Sequence, residues 1–170
     1  MIRKIVPLSF YQNEMLSQYL RRIIALEKLK KIVGIGIAVK DLEKATDLLC
    51  NCFGGRPGEV MEDPFSGMKF RMVRVADVDF ELMEATMEEG PVGKFIHNRG
   101  EGLHHIAFAV DGVADRLNGL KNMGCRLIDE KPIEVLGVKT GFVHPKSFFG
   151  VMIELTEFPE GYSLPGSDPV

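Results

Sequence analysis

Gly34-Ile35-Gly36-Ile37-Ala38-Val39, followed by Asp41-Leu42-Glu43-Lys44-Ala45, has a near copy 71 residues further on. The copy is His105-Ile106-Ala107-Phe108-Ala109-Val110, followed by Gly112-Val113-Ala114-Asp115-Arg116. A second pair keeps step with the first. Phe80-Glu81-Leu82-Met83-Glu84 is matched by Ile153-Glu154-Leu155-Thr156-Glu157, with Glu81 and Glu154 73 residues apart. Two matched pairs in the same order indicate a duplicated module. In each, a strand rich in β-branched residues runs into a helix whose start is marked by a polar or glycine residue.

Working outward, module one covers residues 32–87, a linker 88–101, and module two 102–158. In module one, Ile32 to Val39 is a strand and Asp41 opens a helix with Leu42, Ala45, Leu48, Leu49 and Cys52 on one side. Gly54-Gly55 and Pro57 stop that helix. Lys69 to Val75 and Asp79 to Ala85 read as strands joined by a tight turn near Ala76-Asp77, with a short strand near Glu59-Val60-Met61 before them. Gly90-Pro91 breaks the chain, and Val92 to His97 is expected to form a short helix. Module two repeats the plan: strand 103–110, helix 113–123, and strands near 126–128, 139–143 and 151–156. The expected fold class is α+β, with paired βαβββ modules forming a curved mixed sheet around a cup-shaped cavity.

The flanks read differently. In residues 1–31, Leu16, Leu20, Ile23, Ile24 and Leu26 recur at helical spacing, which predicts one amphipathic helix from Ser9 or Phe10 to Lys30. It would pack on the body or form a contact in a homodimer. The tail, 159–170, is rich in Gly and Pro and is expected to be irregular.

Composition narrows the function classes. Hydrophobic content of 45% and charged content of 26% are those of a globular protein with a real core. A net charge of −3 gives no general electrostatic case for nucleic acid. No apolar run approaches the roughly 20 residues that cross a bilayer, and Met1 to Leu8 lacks the apolar stretch of a signal peptide. Cys50, Cys52 and Cys125 are sparse and odd in number, which suits free thiols in a reducing compartment. The expected location is therefore cytoplasmic, with no nucleic-acid or membrane partner.

Side chains alternate across a strand. Ile35, Ile37 and Val39 share one face of the first strand, and Gly34, Gly36 and Ala38 the other. In the counterpart, Ile106, Phe108 and Val110 oppose His105, Ala107 and Ala109. Each strand thus has a bulky face for its helix and a face of small residues that leaves room for a cavity. On this reading His105 points into the cavity and His104 away from it. Glu154 lies opposite Ile153 and Leu155, and Glu81 opposite Phe80 and Leu82. A single Glu in such a strand is ordinarily a solvated side chain. Two at equivalent positions, with His105, indicate a metal or substrate site. Imidazole and carboxylate donors together suit Co²⁺, Mn²⁺, Fe²⁺, Ni²⁺ or Zn²⁺.

Gly100-Glu101-Gly102-Leu103-His104-His105-Ile106-Ala107-Phe108, His144-Pro145-Lys146-Ser147 and Gly150-Val151-Met152-Ile153-Glu154-Leu155 together resemble the methylmalonyl-CoA epimerase branch of the glyoxalase/bleomycin-resistance, or vicinal-oxygen-chelate, superfamily. Gly90-Pro91-Val92-Gly93-Lys94-Phe95-Ile96 is similar to the linker of that branch, and the likeness runs from about Ile32 to Phe158. The resemblance implies metal ligands at Glu81, His105 and Glu154, with Glu154 also the first choice for a catalytic base. The histidine that usually opens the first strand falls on Gly34, and an acidic residue of some epimerases falls near Phe70. The implied activity is inversion at C2 of a 2-methylmalonyl-type acyl-CoA through an enolate, assisted by a divalent metal.

Lys146 could meet a CoA phosphate or a substrate carboxylate, or be a solvated loop lysine. Arg71 or Arg74 could pair with a substrate carboxylate, whereas His144 reads as structural and His97 as exposed. Two other functions are consistent with the chain: a metal-free small-molecule binding protein of the same fold, favoured by Gly34, and a glyoxalase I-like isomerase. An iron dioxygenase needs two histidines and a carboxylate, and only His105 stands at a ligand position.

Overall fold

The computed structural model describes residues 29–135 and 137–162. Module one comprises β1 (Leu29–Val39), α1 (Leu42–Phe53), β2 (Arg56–Asp63), β3 (Met68–Val75) and β4 (Val78–Ala85). The linker is α2 (Pro91–Arg99), and module two comprises β5 (Gly102–Val110), α3 (Val113–Asn122), β6 (Ile133–Val135), β7 (Val138–Val143) and β8 (Met152–Glu157). One eight-stranded sheet runs in the order β2-β3-β4-β1-β5-β8-β7-β6. β1 pairs with β4 and β5 with β8 in parallel, and the two modules meet at the antiparallel β1–β5 seam. Residues of β2 and β6, at opposite ends of this order, line one cavity, so the sheet curls on itself.

Local chemistry accounts for the elements. Asp41 caps α1 by accepting a hydrogen bond from Lys44 N, and Gly54 ends it in the left-handed conformation at φ 67°. Pro91 starts α2 at a position whose N–H needs no partner. The bulky strand faces do pack under the helices. Val39, Leu42, Val73 and Leu82 form the core beneath α1, and Val110, Val113, Leu117, Val143, Ile153 and Leu155 the core beneath α3. Each of the fully buried Leu42, Leu82 and Leu117 contributes about 1.5–3 kcal/mol through burial. On the concave side Ala38, Phe70 and Met83 pack against Val92 of α2.

Three expectations need correction or fall outside view. The strand near 126–128 does not form: Leu127 makes an isolated bridge to Val143, and the edge strand is Ile133–Val135. Backbone bonds from Ile128 N to Phe142 O and from His144 N to Arg126 O are joined there by side-chain bonds, since Ser147 Oγ accepts from Arg126 N at 2.8 Å and Asp129 Oδ2 from Phe142 N at 2.9 Å. The helix expected to reach Lys30 does not, because Leu29 and Lys30 already belong to β1, where Leu29 pairs with Val110 of β5. The remainder of that helix and the tail beyond 162 lie outside the described residues.

Candidate metal and substrate site

Three register shifts interrupt the β1–β5 seam, and two of them shape the site. Between Ile32 and Gly34 the extra residue is Val33, so Val33 and Gly34 both face the cavity. Between His105 and Leu103 the extra residue is His104. A bulge puts two neighbouring residues opposite one and cancels the alternation. His104 does not line the cavity, yet the bulge brings its ring beside that of His105. Its Nδ1 lies 3.0 Å from Nδ1 of His105, and its ring packs edge-on against Phe95 of α2 at 4.9 Å.

Room for the His105 ring is made on the facing strand. Gly36 pairs with His105, and a Cβ on Gly36 would lie 2.2 Å from the imidazole Cε1. His105 is only 4% exposed. Its Nε2 is 3.1 Å from Glu81 Oε2 and 3.1 Å from Glu154 Oε2. The donor atoms of the three residues all lie within 4.8 Å of one another. The sequence thus named residues that the fold brings together.

Glu154 is oriented by two hydroxyls. Oε1 lies 2.9 Å from Thr140 Oγ1 and 3.1 Å from Thr156 Oγ1, which leaves Oε2 for the His105 side. Thr140 also lies 3.0 Å from Leu155 O, and its single proton serves one acceptor at a time. Burial pushes the Glu154 carboxyl up, but His105, and then Thr140 and Thr156, outweigh it and hold it below its ordinary value. Burial would likewise lower His105, yet Glu154 and then Glu81 raise it to about 10. His104 is lowered to about 4, by burial first and by its neighbour His105 next, with Glu154 opposing and Arg99 adding.

A metal can be tested against this geometry. The His105 Nε2 is buried and has no hydrogen-bond partner, because neither carboxylate meets hydrogen-bond geometry despite the 3.1 Å separations. Three donor atoms around one point, with a nitrogen among them that makes no well-aligned hydrogen bond, fit a divalent ion; in its absence the protonated imidazole pairs with both carboxylates. One imidazole and two carboxylates suit borderline ions. Metal-bound histidines commonly donate their second N–H to an acceptor, and His104 Nδ1, on a ring kept neutral at pH 7, is placed to accept it from His105. That assignment of protons follows from the network. Replacing His104 by Phe keeps the packing on Phe95 but removes the acceptor. It is expected to weaken Co²⁺ binding by about 10- to 100-fold, as read by calorimetry.

Around this floor lies a cavity of about 130 Å³. Gly34, Glu81, Ala107, Thr140, Glu154 and Thr156 form one part, and Met61, Met68, Phe70 and Met72 an apolar wall. Gly34 leaves the space open, since a Cβ there would meet nothing nearer than Asp79 O at 3.8 Å.

The remaining candidates lie elsewhere. Lys146 is in the 3₁₀ turn Pro145–Ser147, outside the cavity lining, and its N–H bonds His144 Nδ1, so His144 is a structural cap. Arg71 bonds Glu43 at 2.9 Å on the helix side, and Arg74 bonds Asp79 at 2.7 Å. Neither arginine lines the cavity. His97 is exposed. Sequence reading passed over Thr140, Thr156 and Asp63, all buried and all on the cavity. Thr156 had a signal in the face of β8 that it shares with Glu154, whereas Thr140 lies on β7, opposite Thr156.

Comparison with known proteins places this geometry. Residues 34–142 match the Glyoxalase/Bleomycin resistance protein/Dioxygenase superfamily. The mitochondrial methylmalonyl-CoA epimerase of Mus musculus is 31% identical over 132 residues, 76% of this chain and 74% of the relative. The ethylmalonyl-CoA/methylmalonyl-CoA epimerase of Cereibacter sphaeroides is 30% identical over 126 residues, 72% of this chain and 94% of the relative. Among solved structures, a Streptomyces coelicolor methylmalonyl-CoA epimerase variant in complex with 2-nitronate-propionyl-CoA superposes with a TM-score of 0.70 at 29% identity. That likeness covers 76% of this chain and 97% of the other.

Proposed function

The chain belongs to the Glyoxalase/Bleomycin resistance protein/Dioxygenase superfamily as an epimerase-like enzyme, and from that premise we propose that it inverts C2 of a 2-methylmalonyl-type acyl-CoA. The observation that carries the reading is the convergence of Glu81, His105 and Glu154, the two carboxylates lining the cavity and the imidazole buried against them. Those three residues would hold a divalent ion, Co²⁺, Mn²⁺, Ni²⁺, Zn²⁺ or Fe²⁺. When bound, the ion supplies positive charge to the oxygens on which an enolate develops.

The chain's own groups do the rest. Glu154, held below its ordinary value and oriented by Thr140 and Thr156, is an ionised carboxylate able to accept the C2 proton. Met61, Met68, Phe70 and Met72 give the alkyl branch an apolar wall and limit water near the carbanionic centre. Lys146, on the exposed turn, is available to an anionic group of the CoA moiety. No helix among the described residues is long and apolar enough to cross a membrane.

Incubation of 2-methylmalonyl-CoA in D₂O, with and without Co²⁺ or Mn²⁺, reads the reaction as deuterium at C2. Exchange above background that rises with metal is the expected result. No exchange with any of several malonyl-type thioesters would transfer the chain to the metal-free binding proteins of the same fold, the reading that Gly34 favours.

A further inference from the structure

Inversion at carbon requires a proton taken from one face and a proton returned to the other. The two carboxylates on the cavity floor are both drawn to His105 and stand on one side of the chamber. Among the described lining residues, two further titratable side chains remain, Asp63 and Tyr162. Tyr162 follows β8 closely and stacks on Phe158 at 5.0 Å, so it belongs to Glu154's side of the cup. Asp63 ends β2, at the far end of the strand order, and reaches the same cavity only because the sheet curls.

Asp63 is an unusual residue for a strand end. It is 6% exposed, although ionisable side chains are seldom buried without a partner. No ion pair to it is found among the described residues. Its Oδ1 accepts hydrogen bonds from Phe65 N at 3.0 Å and Ser66 N at 3.1 Å. These fix the carboxylate by one oxygen, as in an Asx turn. Oδ2 makes no hydrogen bond among the described residues. A buried carboxylate pinned by one oxygen, with the other uncommitted, is a preorganised proton carrier. The turn accounts for one oxygen, whereas the burial of the group on the cavity wall calls for a second role.

We propose that Asp63 is the second acid-base group, acting across the cavity from Glu154. The assignment rests on the epimerase reading above. With Asp63 protonated and Glu154 ionised, the C2–H bond breaks and its proton goes to Glu154, while the bonding pair delocalises into the thioester as an enolate. The enolate carbon then takes the Asp63 proton on the opposite face and reforms the thioester. The opposite epimer follows the same path in reverse, with Asp63 as base and Glu154 as acid. No oxidant, reductant or co-reactant is consumed.

The test compares the natural chain with Asp63→Asn, starting from each C2 epimer of methylmalonyl-CoA in D₂O. Asn keeps the Oδ1 acceptor for Phe65 and Ser66 and removes only the transferable proton. Inversion is expected to fall by about 10²–10⁴-fold. C2 exchange should persist from the epimer whose hydrogen faces Glu154 and disappear from the other. Asp63→Ser, which can also accept in such a turn, should behave alike. Inversion at the natural rate in either variant would overturn the assignment. So would an equal loss of exchange from both epimers, which marks a residue that merely shapes the cavity. Absence of exchange in the natural chain is a different result, and it removes the epimerase reading itself and this assignment with it.

Discussion

His105→Ala is expected to destabilise the metal-free protein by about 3 kcal/mol and to abolish tight divalent-metal binding. The reason is the arrangement of charge rather than lost packing. Glu81 and Glu154 each approach the same Nε2 at 3.1 Å, and their side chains are only 18% and 17% exposed. Without the imidazole, two half-buried carboxylates face one another with no cation, and one must take up a proton. A loss of that size lowers Tm by about 10 °C for a chain of this length.

The pH dependence gives a second readout with opposite windows. In the natural chain His105 is raised from 6.5 to about 10. Its contribution to stability is fully present below pH 6.5 and is lost as pH rises towards 10. In the variant the raised group is a carboxyl, whose folded form prefers the proton. Stability should then decline already as pH rises out of the carboxylate range. Thermal melts from pH 4 to 10 on both proteins distinguish the two. A variant with an unchanged melting temperature and an unchanged pH profile would show that His105 does not hold the two carboxylates together.

Gly34→His is expected to tighten Co²⁺ binding by about a hundredfold or more. Partners that merely orient a metal ligand are worth 10- to 100-fold, and an added imidazole would be a donor itself. The backbone permits it. Gly34 faces the cavity beside Glu81 and Glu154, and its new Cβ would sit at ordinary contact distance, 3.8 Å from Asp79 O and 3.9 Å from Met72 Cε. Isothermal titration with Co²⁺ compares the two chains directly, and the visible spectrum of Co²⁺ reports the change in coordination. Equal affinities would mean that position 34 does not address the donors. If C2 exchange rises along with affinity, the natural chain is an epimerase site working with three protein ligands.

Much of this was legible because the sheet obeys its periodicity where it is regular. Glu81 and Met83 fall on the concave side, with Phe80 and Leu82 opposite, because β4 pairs without interruption with β1 and β3. Glu154 follows for the same reason on β8. Alternation did not foresee the closeness of His104 to His105, because a one-residue bulge is a property of two strands together, and neither strand's sequence announces it. The strand near 126–128 is reduced to one bridge, and its attachment to β7 uses side chains, Ser147 from a remote turn and Asp129 from the segment's own end, that a propensity argument does not see. Asp63 drew no attention in the sequence, because its place on the cavity depends on the curl of the whole sheet.

Gly34 and Gly36 lie two residues apart on the same strand face, yet they have opposite freedoms. Position 36 is locked, since any side chain would begin inside the imidazole of His105, the ring that meets both carboxylates. Position 34 opens onto the chamber and accepts a new side chain with no backbone rearrangement. Drift along this strand is therefore channelled. Substitutions that survive can alter what the chamber holds, while the residue that admits the histidine stays glycine. A duplicated module whose two halves differ at one glycine can redirect its chemistry there, and has no such latitude at the other.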